Sequence, residues 1–365
     1  QRQMCIRDRY WKTMKPLAEA LRDKFEDMGI RYRFSVITNG SLFTDEIIDW
    51  LMMMNFSVSI SHDGPGQSVR GPDPFDDPEK KELILGYYRM QTRLKKGISF
   101  NAMLNSKNQS RKEIYEWFYN LTGDPNVKIG EGGIVDAYDE DGVTNSLQTK
   151  QDHFEFRKTA LADMLMIGHQ FNFMGQIQKI GSLINSVLNN VHSRTLGQKC
   201  GMDNENVIAV DLRGNIITCQ NVSAAETAMN GMPHLAGNLD DYDNVQMRSA
   251  THWSNRKECA ECPVLHVCKG ACMFLDKKYW DVSCANSYSD TVVLFSLGFM
   301  QITGGYIPQL IKSDKLAPER QDIWGTLLEH GEEPKKKKHI PIKVVSEKRD
   351  VIDGVEVYSK SYIEK

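Results

Sequence analysis

Apolar residues recur at helical spacing from Trp11 through Met14, Leu17, Ala18, Leu21 and Phe25 to Met28, and Gly29 supplies a stop. This predicts a helix over residues 11–28. Residues 33–37 (RFSVI) predict a strand that ends at Thr38-Asn39-Gly40. Thr44 is placed to cap a helix whose Ile47, Ile48, Leu51 and Met52 share one face. Residues 56–60 (FSVSI) predict a second strand, ending at Ser61-His62-Asp63-Gly64-Pro65. A loop rich in Pro, Gly and Asp follows over residues 64–78. Asp77 then caps a helix with Pro78 in its first position, an apolar face of Leu83, Ile84, Tyr87 and Leu94, and Gly97 at its end. Residues 98–104 (ISFNAML) predict a third strand. Ser110 and Glu113 form an S-x-x-E capping box ahead of Ile114, Trp117, Phe118 and Leu121. Residues 126–129 (NVKI) predict a fourth strand, and a broken helical tract runs from about 150 to 192.

Strands alternating with helices at this spacing imply a parallel sheet with right-handed crossovers. The run opens on a helix, so at least one further strand is expected upstream. In open α/β sheets and β/α barrels, ligands sit at the carboxyl ends of the strands. Those ends fall at 38–40, 61–64, 101–105 and 130–133, all polar and rich in Gly or Asn. Each alone is ordinary turn chemistry. Four on one rim point to a small-molecule site, with Asn39 and Ser61 as the candidate contacts. Arg70 is placed to meet a carboxylate or to face solvent, and Asp63-Gly64-Pro65 reads as turn structure.

Composition narrows the class without naming it. The chain has 365 residues, 41% of them hydrophobic and 25% charged, with net charge −3. These values exclude a collagen, a long disordered chain and a membrane bundle. They give no reason to expect nucleic-acid binding. No signal-peptide h-region is visible, so a cytoplasmic location is expected. Residues 291–311 are apolar, but Gln301, Thr303 and Gly304-Gly305 interrupt them, which predicts a buried helix and no membrane association. The string MCIRDR resembles translated adapter sequence, so residues 1–9 are expected to be a non-native leader and Cys5 is set aside. Lys335 to Lys338 open a polar tail, residues 334–365, expected to be solvated.

The cysteines carry the chemistry. The chain has eight, and all but Cys5 lie between Cys200 and Cys284. The spacings are Cys200-x13-Gly214-x4-Cys219, then Cys259-x2-Cys262-x5-Cys268-x3-Cys272, then Cys284. Residues 206–218 (NVIAVDLRGNIIT) predict a β-hairpin turning at Gly214, which would bring Cys200 and Cys219 together. Three readings compete. Disulfides suit neither the odd count nor the lack of secretory context. Structural zinc leaves three thiols idle in one site and lacks one ligand for two sites. Iron–sulfur clusters take about four thiolates each. Seven cysteines then make one complete cluster and one with an open or non-thiolate fourth position, for which His192 is the nearest candidate.

These motifs resemble radical SAM enzymes with a SPASM domain, the auxiliary-cluster domain of peptide- and protein-modifying maturases. The family pattern C-x9-15-G-x4-C, C-x2-C-x5-C-x3-C, C is matched from Cys200 to Cys284. ITNG at 37–40 and SISHDGP at 59–65 resemble the family's third and fourth barrel strands. The resemblance covers roughly residues 10–300. It implies a partial (β/α)6 TIM-like barrel missing its first strands over 10–192, a SPASM domain with a β-hairpin over 193–290, and a helical segment over 291–333. It implies that Cys259, Cys262, Cys268 and Cys284 hold a distal auxiliary [4Fe-4S] cluster, and that Cys200, Cys219 and Cys272 hold a proximal one. The family's C-x3-C-x2-C loop and GGE-type motif are absent from this sequence. The expectation is a chain truncated at its N-terminus, inactive alone. S-adenosylmethionine and a third [4Fe-4S] cluster would belong to the full-length parent, which abstracts hydrogen from its substrate with a 5′-deoxyadenosyl radical. The implied partners are a peptide or protein substrate and an external electron donor. The alternatives are an anaerobic sulfatase-maturase-like enzyme, a degenerate cluster-bearing electron relay, and a zinc-ribbon interaction protein. No catalytic acid or base is assigned.

Overall fold

The computed structural model describes residues 7–134, 140–167, 174–189, 199, 206–228, 231–245, 252–260, 262, 264–303, 343–352 and 355–363. Its first half runs α1 (Arg7–Asp27), β1 (Ser35–Thr38), α2 (Asp45–Met53), β2 (Ser57–Ser61), short α3 (Gln67–Arg70), α4 (Pro78–Arg93), β3 (Ile98–Leu104), α5 (Arg111–Thr122) and β4 (Ile129–Ile134). The four strands form one parallel sheet in the order β1-β2-β3-β4. Three helices α6 (Glu140–Asn145), α7 (Lys150–Ile167) and α8 (Met174–Leu188) follow. Next comes an antiparallel sheet of β5 (Ala209–Val210), β6 (Asn215–Ile217) and β7 (Leu235–Asn238). The cysteine-rich stretch holds α9 (Lys257–Ala260) and α10 (Leu265–Cys268), and α11 (Lys277–Thr303) follows it. A two-stranded antiparallel hairpin, β8 (Lys343–Ile352) and β9 (Val355–Ile363), stands where a featureless tail was expected.

Local chemistry sets the element boundaries. The Thr44 side chain accepts from Ile47 N, Asp77 from Glu79 N and Lys80 N, and Ser110 from Glu113 N, so all three predicted caps are in place. Alternation along β3 buries Ile98, Phe100, Ala102 and Leu104 on one face. They pack with Val58 and Ile60 of β2, Ile84 and Tyr87 of α4, and Ile114 and Phe118 of α5. Phe100 stacks on Phe118 at 4.4 Å.

Several boundaries differ from the sequence reading. Helix α1 begins at Arg7, inside the stretch read as a leader. Helix α4 ends at Arg93, because Lys95 takes the left-handed turn (φ 54°) expected of Gly97. Strand β4 starts three residues after Asn126, because a turn at Asp124 caps Asn126 N and Val127 N. The glycine-rich run after Ile129 is part of the strand rather than its end. Gly130 lies against β3 so closely that an added Cβ would stand 3.4 Å from Phe100 O and Asn101 Oδ1. Helix α11 runs unbroken through residues 290 and 291.

Helix α11 also ties the halves together. Val293, Leu294 and Leu297 join the core of the α/β half. Gly298 lets α8 approach, since a Cβ there would meet Leu183 Cδ2 at 2.7 Å. One turn earlier the contacts are ionic. Arg111 Nη2 donates to Asp290 Oδ1 at 2.6 Å and Lys179 Nζ to Asp290 Oδ2 at 3.2 Å. Ser289 meets His153 Nδ1 at 2.9 Å and Arg157 Nη1 at 3.0 Å. Burial and Arg157 push the His153 imidazole down to about 4, so it is neutral at pH 7.

Burial raises the Asp290 carboxyl, but Arg111 and Lys179 outweigh it and hold it at about 2. A depressed carboxyl stabilises the fold above its unfolded value of about 3.9 and loses that contribution as pH falls toward 2. Asp290→Asn leaves the buried guanidinium of Arg111 with no countercharge from this carboxylate and is expected to cost about 3–5 kcal/mol. Urea denaturation at pH 7 reads that loss, and the acid limb between pH 4 and 2 should flatten in the variant. An unchanged acid limb would show that Asp290 is not the titrating group.

Candidate functional site

Two candidate sites emerge: the rim at the carboxyl ends of the strands, and the cysteine-rich stretch. On the rim, the Asn39 carbonyl oxygen accepts from Ser41 N at 3.2 Å and Ser41 Oγ at 2.9 Å. This Asx turn occupies the acceptor of a residue read as a ligand contact. Ser61 is buried at the end of β2 and takes a hydrogen bond from Arg70 Nη1. Arg70 is not aimed at solvent. Its Nε donates to Asp63 Oδ2 at 3.0 Å and its Nη2 to Asp63 Oδ1 at 2.7 Å. Asp63 also accepts from Met103 N at 2.8 Å, and its carbonyl from Asn108 Nδ2 at 2.6 Å. Asp63 therefore ties β2 to β3, a larger role than the turn assigned to it.

His62 went unassigned in the sequence, and it is fully buried. Its Nδ1 accepts from Gly64 N at 2.9 Å, which leaves Nε2–H to donate to Asp73 Oδ1 at 2.9 Å. Its ring stacks on Trp117 at 4.6 Å. Burial lowers its pKa more than Asp73 raises it, so it works as a neutral clamp on the loop after β2. Gly66 is needed beneath that loop, since a Cβ would stand 2.4 Å from Asn108 Cβ. The local signal was a histidine between a strand and an Asp-Gly turn, but its partner lies eleven residues away.

In the cysteine-rich stretch, consecutive turns bring the thiols inward. Cys262 N donates to Cys259 O, Leu265 N to Cys262 O, and Cys268 N to Val264 O. Cys259, Cys262, Cys268 and Cys284 line one small pocket with Val264, Leu265, Gly270 and Tyr288. Cys272 does not line that pocket; it packs both against the core of Cys259, Leu275, Trp280 and Cys284 and against an apolar cluster of Cys219, Met273, Phe274 and Val222. Six described cysteines are all free thiols, so none of these is in a disulfide. Cys200 and His192 lie outside the described residues. The predicted hairpin is present, with Gly214 at φ +79° between β5 and β6.

The split between the two groups is a backbone event. Lys269 (φ 54°), Gly270 (φ 79°) and Ala271 (φ 57°) are all left-handed, an arrangement costly for the two that carry a Cβ. Strain of this kind is held in place by its surroundings and gathers at functional sites. Here it turns the chain so that Cys268 lines the pocket and Cys272 does not.

Four thiols with apolar walls fit an iron–sulfur cluster. Among the described residues no group of three or more His, Cys, Asp or Glu side chains is drawn together as around a bound metal ion, so the choice between zinc and iron–sulfur rests on the number and spacing of the thiols.

No protein-family model matches the chain. It is similar to the radical SAM cyclopropyl synthase TigE of Paramaledivibacter caminithermalis, at 22% identity over 284 residues, 74% of this chain and 53% of that protein. The chain thus spans about half the length of that curated relative. Among solved structures it resembles native anSMEcpe with bound AdoMet, with a TM-score of 0.52 and 15% identity over 78% of each chain. It equally resembles native anSMEcpe with bound AdoMet and the Cp18Cys peptide, with a TM-score of 0.52, 14% identity and coverage of 78% and 79%. The fold is that of anSMEcpe. Among the described residues no helix is long and apolar enough to cross a membrane.

Gly270→Ala tests the strained turn. An added Cβ would stand 2.6 Å from Trp253 Cβ, on top of a left-handed penalty of about 1–2 kcal/mol. Gly214→Ala carries the same φ but meets nothing closer than 3.6 Å. Urea midpoints should therefore fall further for Gly270→Ala than for Gly214→Ala. Equal losses would count against the Trp253 contact.

Proposed function

We propose that this chain is part of a radical SAM maturase that modifies a peptide or protein substrate. The observation that carries the reading is the grouping of the cysteines, with Cys259, Cys262, Cys268 and Cys284 around one pocket and Cys272 packed both against the core of Cys259 and Cys284 and against the cluster of Cys219. The anSMEcpe fold, solved with AdoMet and with peptides, and the likeness to a radical SAM synthase support it. In this reading the first four hold a distal auxiliary [4Fe-4S] cluster. Cys200, Cys219 and Cys272 hold a proximal one, with a non-thiolate or open fourth position. The bound groups supply one-electron transfer and, through S-adenosylmethionine, hydrogen abstraction from the substrate.

The chain's own residues position and exclude. Asp63 holds the Arg70 guanidinium over Ser61 at the strand ends, where a carboxylate-bearing ligand such as S-adenosylmethionine would meet both. The Asn39 turn shapes the neighbouring loop. Trp253, Leu265, Tyr279 and Trp280 wall the cysteine region against water.

Anaerobic reconstitution tests the assignment. The chain should hold about eight irons in two clusters of about four. Cys262→Ala should lose about half the iron, and Cys5→Ala none. Zinc in place of iron, or equal losses in both variants, would overturn it. With dithionite and S-adenosylmethionine the chain should release no 5′-deoxyadenosine until a three-cysteine segment is supplied upstream. Release by the chain alone would contradict that.

A further inference from the structure

One buried cation lies among the thiols. Arg256, three residues before Cys259, is only 6% exposed. Its Nη2 donates to Leu275 O at 2.7 Å and reaches Cys272 O at 3.5 Å. Its guanidinium carbon stands 4.4 Å over the Trp280 ring. Trp280 and Leu275 form one small core with Cys259 and Cys284, and Cys272 packs against it. Arg256 thus stands where the two sulfur groups meet, since Cys272 packs both against this core and against the cluster of Cys219. Burial works against its charge, and Cys259, Asp276, Cys284 and Cys272 support it. Asp276 is the single carboxylate among these, and it is half-buried at the start of α11.

We propose that Arg256 is a positioning residue that fixes a positive charge between the two auxiliary-cluster sites and raises the reduction potential of the groups they hold. This rests on the iron–sulfur reading above. A cluster becomes more negative when it gains an electron. A cation held nearby in a water-poor setting favours that gain more than the same charge in solvent would. Net charge and exposure are among the terms that set such potentials. The carbonyls of Leu275 and Cys272 and the Trp280 face hold the guanidinium in place, so its field is fixed rather than averaged over rotamers.

The test is an EPR-monitored redox titration of the reconstituted full chain. Arg256→Gln and Arg256→Met remove the charge, and the Met side chain keeps apolar packing on Trp280. Both should shift at least one cluster to lower potential, by about tenfold in the reduced-to-oxidised ratio, about 59 mV for one electron. Arg256→Lys should stay near the wild-type potentials. Unshifted potentials in Gln and Met variants with full iron would overturn the proposal. If both neutral variants lose iron while Arg256→Lys keeps it, the charge itself is required where the two groups meet, as proposed. If Arg256→Lys loses iron as well, shape rather than charge governs the position and the proposal fails. A wild-type chain that takes up no iron–sulfur cluster defeats the underlying reading instead, before any variant is compared.

Discussion

Asp290, held between Arg111 and Lys179 inside the protein, is the interaction on which the arrangement of the two halves depends. Taking the charges of Arg111 and Asp290 out of water is costly, Lys179 remaining partly exposed, and a buried ion pair is poor evidence of stability. Its effect is on register. Arg111 opens α5, Lys179 lies on α8 and Asp290 on α11. A carboxylate that must meet both cations admits one rotation and one axial position of α11. That position also decides where Cys284 points, six residues earlier on the same helix. At 100° per residue Cys284 and Asp290 lie on different sides, whereas Tyr288 falls one turn from Cys284 and lines the same pocket. The helix is therefore buried on several sides at once. Its polar residues Ser289 and Asp290 face α5 and α7, and its thiol faces α10.

Much of this was readable where the cause is local. The caps at Thr44, Asp77 and Ser110 act within three residues, and each is in place. Strand β3 was legible to the residue, because its alternation puts one face in the core. Strand β4 was not, because glycine removes the side-chain pattern that marks a strand and turns at Asp124 delay its start. The ion group was invisible, since Arg111 and Asp290 stand 179 positions apart and nothing in either neighbourhood names the other. His62 failed for the same reason on a smaller scale. Its role is set by Asp73 and Trp117 across a loop. The buried helix read over 291–311 is the second half of α11, whose start at Lys277 lies in the stretch assigned to the cysteine-rich unit.

The cysteine pattern was legible for a different reason. Short spacings such as x2, x5 and x3 constrain geometry directly, with little chain between ligands to vary. Even so, spacing does not explain why, of Cys268 and Cys272, only four apart, only Cys268 lines the pocket with Cys259, Cys262 and Cys284. On a helix, residues i and i+4 share a face. Separation requires the helix to stop between them, and three left-handed residues do so. Gly270 is tolerant of that conformation, but Lys269 and Ala271 are not. The backbone thus stores strain where the sulfur sites divide, and the close approach of Trp253 to Gly270 holds it there.

On the strand rim the polar groups are already satisfied by one another. Arg70 has both faces of its fork on Asp63, and Asp63 in turn is fixed by the β3 backbone. A carboxylate entering this rim meets a guanidinium whose rotamer is already set, so less entropy is lost on capture than with a free arginine. Asn39 differs, because its side-chain oxygen is spent on Ser41, which fixes the turn beside the rim; a contact from it to a ligand would have to run through its amide N–H groups.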